Sequence, residues 1–196
     1  MEYVYFLIIT IIGLFVLHKY HYLKIYTIIM LLIEESLAFI YYYINVNTLA
    51  YLNQSMMIVF FIVIFIVDLK EYWIPDLMVM GVGFINLLRI VENIFYLKNI
   101  YYSGMILCLI FGLIIILIFL ILKKEMMGFG DIKLYFVLSI GLSISQFIIL
   151  MLLSSVIGLL FIIILKKKMI PFGPSIILSY MILDIVMFVN CFLVIH

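Results

Sequence analysis

Charge is what this sequence has least of. Asp, Glu, Lys and Arg make up 11% of its 196 residues, against roughly 25% in an ordinary soluble domain. That scarcity excludes a soluble globular chain. An excess of basic charge is also missing: 11 basic residues face 10 acidic ones, for a formal net charge of +1. The chain therefore has no basic footprint for nucleic acid. Only two cysteines occur, Cys108 and Cys191, each inside an apolar run and neither in a C-x-x-C. No zinc site and no disulfide framework is signalled. His18 and His21 stand three apart, but no carboxylate or cysteine completes a metal set beside them. Strand-like alternation of apolar and polar residues is absent as well, which argues against a β-barrel. A cleaved secretory signal is not expected, because the N-terminus opens with Glu2 and the run Tyr3–Leu17 ends in His18, Lys19 and Tyr20.

What is there is apolar. Seventy per cent of the residues are hydrophobic and the mean hydropathy is +1.46. A spanning helix takes about 20 residues, so the length holds at most about eight. Charges and turn residues divide the chain into apolar segments near 3–17, 25–45, 49–67, 77–97, 101–122, 131–145, 147–165 and 175–195. The expected fold is all-α: a polytopic membrane helix bundle of about eight helices, forming a single domain over residues 1–196. The abundant Tyr and Phe read as composition bias and interfacial aromatics.

Lysines orient this bundle. With alternating helices, one set of loops holds Lys19, Lys24, Lys70, Lys123, Lys124, Lys133, Lys166, Lys167 and Lys168. The other holds Arg89 and Lys98. Basic residues concentrate in cytoplasmic loops, so the lysine-rich face is expected in the cytoplasm and both termini outside. Pro75, Pro171 and Pro174 fall in the same cytoplasmic connections.

Carboxylates in such a chain ask for a reason, since an ionisable group inside the membrane costs roughly 2.5–3.5 kcal/mol on insertion scales. Glu2, Glu71, Glu92 and Glu125 sit at ends or loops; Glu34, Glu35, Asp68, Asp76, Asp131 and Asp184 do not have that explanation. Asp68 closes the third segment and Asp131 opens the sixth, with 62 residues between them, enough for one helix out and one back. Both aspartates therefore return to one face. Two carboxylates at one depth can share a single proton, because like charges raise one pKa. The ionised partner activates water and the protonated one polarises a peptide carbonyl, the proton belonging to the pair. Gly128 and Gly130, just before Asp131, leave room for a substrate backbone. Asp131 taken alone reads equally well as the cap of a helix.

These residues carry a resemblance. The stretch from Asp68 to Ile74-Pro75-Asp76 resembles the first aspartate region of the prepilin leader peptidases. Gly128-Phe129-Gly130-Asp131 with Lys133-Leu134 resembles the G-x-G-D-x-K-L motif of that family. Pro171-Phe172-Gly173-Pro174 is similar to its late P-F-G-P loop, and Glu35 or Glu34 to a glutamate early in its second helix. The resemblance implies a membrane aspartic endopeptidase of the cell membrane with Asp68 and Asp131 as the catalytic pair. It implies cleavage of the short basic leader of a prepilin, pseudopilin or preflagellin, at the cytoplasmic face, just before the substrate's apolar helix. No metal or organic cofactor is implied. Gly128, Gly130, Lys133, Asp76 and Glu35 are the supporting candidates, for substrate binding or for tuning the pair. The partners are then the substrate helix and membrane lipid.

The chain departs from the larger members of that family. They carry paired C-x-x-C motifs between the first two helices, where this chain has only His18 to Lys24. The missing insert weighs against N-methyltransferase activity. Two other readings compete. An intramembrane protease of the presenilin or signal-peptide-peptidase type also uses G-x-G-D but sets Tyr before the first aspartate, where Val67 stands here. A small cation transporter or channel subunit would use Asp68, Asp131 and Asp184 as a path, which requires carboxylates spaced across the bilayer. Asp184 alone reads as an interior hydrogen bond, and Lys166–Lys168 as a topology signal or, less simply, a headgroup contact.

Overall fold

A computed structural model describes residues 48–95, 101–123, 127–166 and 170–195, with the single residues Ile11, Phe15 and His18. The rest of the first two apolar segments, and with them Glu34 and Glu35, lies outside the described residues. Every element among the described residues is a helix. They are α1 (Thr48–Glu71), α2 (Asp76–Phe95), α3 (Ser103–Leu122), α4 (Phe129–Ser139), α5 (Ile144–Leu165) and α6 (Gly173–Ile195).

The helix ends follow from local chemistry. Tyr72 takes a left-handed conformation (φ 58°) just past α1, and its N–H donates to the Asp68 carbonyl at 3.0 Å. This left-handed ending satisfies a terminal carbonyl. Pro75 follows, and its carbonyl accepts the first N–H groups of α2, from Met78 and Val79. The break expected near Ser143–Gln146 is a helix start. The Ser143 side chain accepts from the Gln146 N–H, and the Gln146 side chain accepts from the Ser143 N–H at 2.8 Å. That reciprocal pair is a capping box. It begins α5 after a turn at Gly141, whose φ of +87° suits a residue with no Cβ.

Alpha-helix α1 is buried on nearly all sides from Met57 to Asp68, as expected of a central helix rather than a surface one. It packs against α2 and α6. Helix α4 packs against α2, α3 and α6, burying Leu134 and Leu138 completely. Because α2 and α6 touch both α1 and α4, they bridge the two aspartate-bearing helices.

Helices α3 and α5 form the rim. Ser103–Leu122 and Ile144–Ile164 are long and apolar enough to cross a membrane, yet only 11% of the first stretch and 22% of the second are buried. Their leucines and isoleucines face outward, which suits lipid and would be unfavourable in water. The buried stripe of α3 is Gly104, Cys108 and Gly112. Small residues four apart let helix backbones approach where lipid supplies no hydrophobic drive for association.

Candidate active site

Three chain segments meet at one end of the bundle: the end of α1, the start of α4 and the start of α6. Asp68 lies in the last turn of α1 and is 4% exposed. Asp131 is the third residue of α4, behind Gly128, which has no side chain with which to cap the helix. Gly173 opens α6, and its backbone N–H donates to Asp68 Oδ2 at 2.9 Å. Ile74, buried in the connection from α1 to α2, ties these pieces together. A Cβ at Gly130 would stand 3.1 Å from the Ile74 Cβ, and one at Gly173 3.2 Å from its Cδ1. The place a side chain at Gly130 would take is thus filled by Ile74. A Cβ at Gly173 would also stand 2.6 Å from Asp68 Oδ2. Glycine is what allows the carboxylate to reach the helix start.

Both aspartates stand at helix ends, outside the two apolar spans, and both hold their protons unusually well. Burial lifts Asp68 from 3.8 to about 6, and the Gly173 N–H acts against that rise. Burial first, and the Asp68 charge second, lift Asp131 from 3.8 to about 7. The two carboxyls therefore sense one another. At near-neutral pH such a pair carries a single proton, which is the protonation state that acid–base hydrolysis of an amide needs.

Lys133 and Asp76 bind each other instead of the aspartate pair, at 2.8 Å, with both side chains more than half exposed. They sit at the polar end of an apolar groove of about 510 Å³ lined by α2, α3 and α4, including Ile132, Cys108 and Gly112. Ile132 directly follows Asp131 on α4, though neither Asp68 nor Asp131 lines the groove itself.

Asp184 is engaged elsewhere. Gln54 Nε2 donates to its Oδ2 at 2.9 Å, and Arg89 lies 3.8 Å from the same oxygen. Arg89 also donates to Gln54 Oε1 and to the Tyr180 hydroxyl. At 1.5 Å per residue, Gln54, Arg89 and Asp184 lie roughly 16–21 Å along their helices from Asp68, Asp76 and Gly173. The sequence reading assigned Arg89 to a loop; it lies within α2 and is drawn into the bundle by the oppositely charged Asp184. An aspartate tied to an arginine is a poor link in a cation path.

A family model matches residues 55–163, more than half of the chain; its description is the type IV leader peptidase family. The chain belongs to the type IV leader peptidase family. The matched stretch contains Asp68, Asp76, Gly128, Gly130, Asp131 and Lys133. No curated protein and no solved structure matches the chain. Membership in a membrane peptidase family, with two helices fit to cross a bilayer, makes this a membrane protein and a peptidase.

One residue of the site escaped the sequence reading. The Pro171–Pro174 motif carries the family resemblance, but nothing in it singles out Gly173. Its signal was a glycine ahead of Pro174 at the start of an apolar run. Proline has no N–H to give, which leaves Gly173 as the donor of that pair at the mouth of the helix.

Proposed function

We propose that this peptidase is an aspartic endopeptidase that removes the short basic leader of a prepilin-like protein at the cytoplasmic face of the cell membrane. Asp68 and Asp131 are its catalytic pair. The observation that carries the reading is the meeting of these two buried-end carboxylates, each with a raised pKa, at one end of the bundle. In the first step a water oxygen attacks the scissile carbonyl carbon. The ionised carboxylate takes a proton from that water while the protonated carboxyl gives its proton to the carbonyl oxygen. The tetrahedral diol then collapses. One diol hydroxyl returns its proton to the carboxylate that gave one, the newly formed carboxylic acid protonates the amide nitrogen, and the C–N bond breaks. The pair ends as it began.

The apolar groove beside Ile132 fits a substrate whose cleavage site abuts an apolar helix. The full bundle in this reading has eight spanning helices with both termini outside. Its lysine-rich connections, Lys70, Lys123 and Lys166 among them, face the cytoplasm with the aspartates. The reaction needs no cofactor, and the short connection around His18–Lys24 offers little room for a methyl donor, so the product keeps a free N-terminus.

Co-expression with a candidate prepilin, read as a size shift on a gel, tests the reading. Asp68→Ala and Asp131→Ala should each abolish the shift while the protein still inserts. Substantial cleavage by either variant removes that residue from the pair. Single-cysteine labels at Lys70 and Lys124 should both report the cytoplasm, and one at Asn99 the outside.

A further inference from the structure

We propose that the Gly173 N–H makes the two aspartates unequal: it holds Asp68 as the ionised member that takes a proton from the attacking water, and leaves Asp131 to protonate the substrate carbonyl. The assignment rests on the catalytic reading above.

Its ground is a one-sided contact. Asp68 Oδ2 accepts the Gly173 N–H at 2.9 Å. A backbone N–H can only donate, so it favours the charged carboxylate over the protonated acid. Gly173 opens a 23-residue helix, and the start of a helix carries partial positive charge. Asp131 lies in the first turn of its own helix, α4, and shares that second influence. It does not share the first: among the described residues no group donates a hydrogen bond to its carboxyl. A helix start acts on both aspartates, and an aimed N–H on one.

Among the described residues, the other charged and titratable groups do not reverse the difference. Asp76 from α2 and Lys133 from α4 bind each other. Glu71 accepts from the Trp73 indole at 2.7 Å, at the exposed end of α1 that also holds Lys70 and Tyr72. Tyr135, one turn beyond Asp131 on α4, bonds Ser154, while Cys108 of α3 is buried beside α4. On α6, Tyr180 and Asp184 belong to the distant Arg89 cluster. Lys123 and Lys166 stand at the exposed ends of α3 and α5. The raised pKa values, about 6 for Asp68 and about 7 for Asp131, fall in the same order as the geometry.

The chain has four aspartates, Asp68, Asp76, Asp131 and Asp184, so carbon-13 labelling at the aspartate carboxyl gives four signals. Each is assigned by its Asp→Asn variant in the purified full-length protein. On pH titration the Asp68 signal should ionise below that of Asp131. Gly173→Ala both crowds Asp68 and displaces it from the N–H, and should raise the Asp68 midpoint by about one pH unit, the loss of one hydrogen bond to a charge, without moving Asp76. Asp131 ionising first, both ionising together, or an unmoved Asp68 midpoint in Gly173→Ala would each overturn the assignment. If Gly173→Ala does not fold, the order in the unaltered protein decides. Cleavage assays keep the two ideas apart. Full cleavage by both Asp→Asn variants ends the catalytic reading, whereas loss in both with a reversed titration order ends only the assignment.

Discussion

Replacing Asp131 by Asn should make this protein clearly more resistant to heat at pH 8 and change it little at pH 4. The folded protein holds the Asp131 proton until about pH 7, whereas the unfolded chain releases it near 3.8. Below pH 3.8 both states are protonated and the group contributes nothing. As pH rises, the unfolded chain ionises first and gains stability relative to the folded one. The cost is complete once the pH passes about 7. A gap of about 3 units at 1.36 kcal/mol each sets a ceiling of about 4 kcal/mol. Asparagine keeps the shape of the protonated acid and cannot ionise, so the variant escapes this cost. In a chain of this size that is an increase in Tm on the order of 10 °C. The chain has a single tryptophan, Trp73, in the connection that follows Asp68, and its fluorescence during heating reports the fold beside the site. The purified protein in detergent should show the full Tm gain at pH 8 and only a small part of it, about an eighth, at pH 4. An equal gain at both pH values, or a less stable variant at pH 8, would refute the claim that burial holds the Asp131 proton. Under the proposed mechanism the same variant should also lose cleavage, because the carboxyl whose proton burial retains is the one assigned to the reaction.

Three further tests probe the surroundings. A Cβ at Gly158 would stand 2.6 Å from the Phe172 ring, so Gly158→Leu should push the Phe172–Gly173 turn off Asp68 and cut cleavage at least roughly tenfold in a gel assay, though no aspartate is touched. Arg89→Met and Asp184→Leu should each destabilise by roughly 2–4 kcal/mol in thermal melts, since each removes one side of a part-buried ion pair, while the double variant recovers much of the loss. Asp76→Asn should change stability by less than about 1 kcal/mol, because its pair with Lys133 is solvent-exposed. A marked fall in cleavage with unchanged melting would show instead that Asp76 or Lys133 handles the substrate.

Helices were legible because their signal is local. The apolar blocks gave α3 and α5 within a few residues, and the break before α5 was visible in Ser143 and Gln146, whose side chains cap a helix that begins between them. The aspartate pair was legible for a topological reason: one helix out and one back returns Asp131 to the end that holds Asp68. Neither inference needed a long-range contact. Arg89 was misplaced because its charge was counted with the loops although it falls inside the apolar segment 77–97. Its partner Asp184 is 95 residues away in sequence, and no local pattern joins them. Together with Gln54 and Tyr180 they carry polar groups through the interior of α1, α2 and α6.

The Gly173 contact was illegible for a different reason, and it matters more to the chemistry. A backbone N–H is present at almost every residue, so the sequence does not mark which one will point at a carboxylate. Three conditions select this one. Pro174 removes the next donor along, the missing Cβ lets Asp68 Oδ2 come within 2.9 Å, and Ile74 packs against both Gly130 and Gly173 so that α4 and α6 begin side by side. Each condition is a residue with something taken away or a plain apolar contact, and none resembles a catalytic group. Two equal aspartates would hold one proton between them without preference. The turn that opens α6 supplies a reason for the proton to stay on Asp131, and in the proposed mechanism that gives each carboxyl a separate task before any substrate arrives.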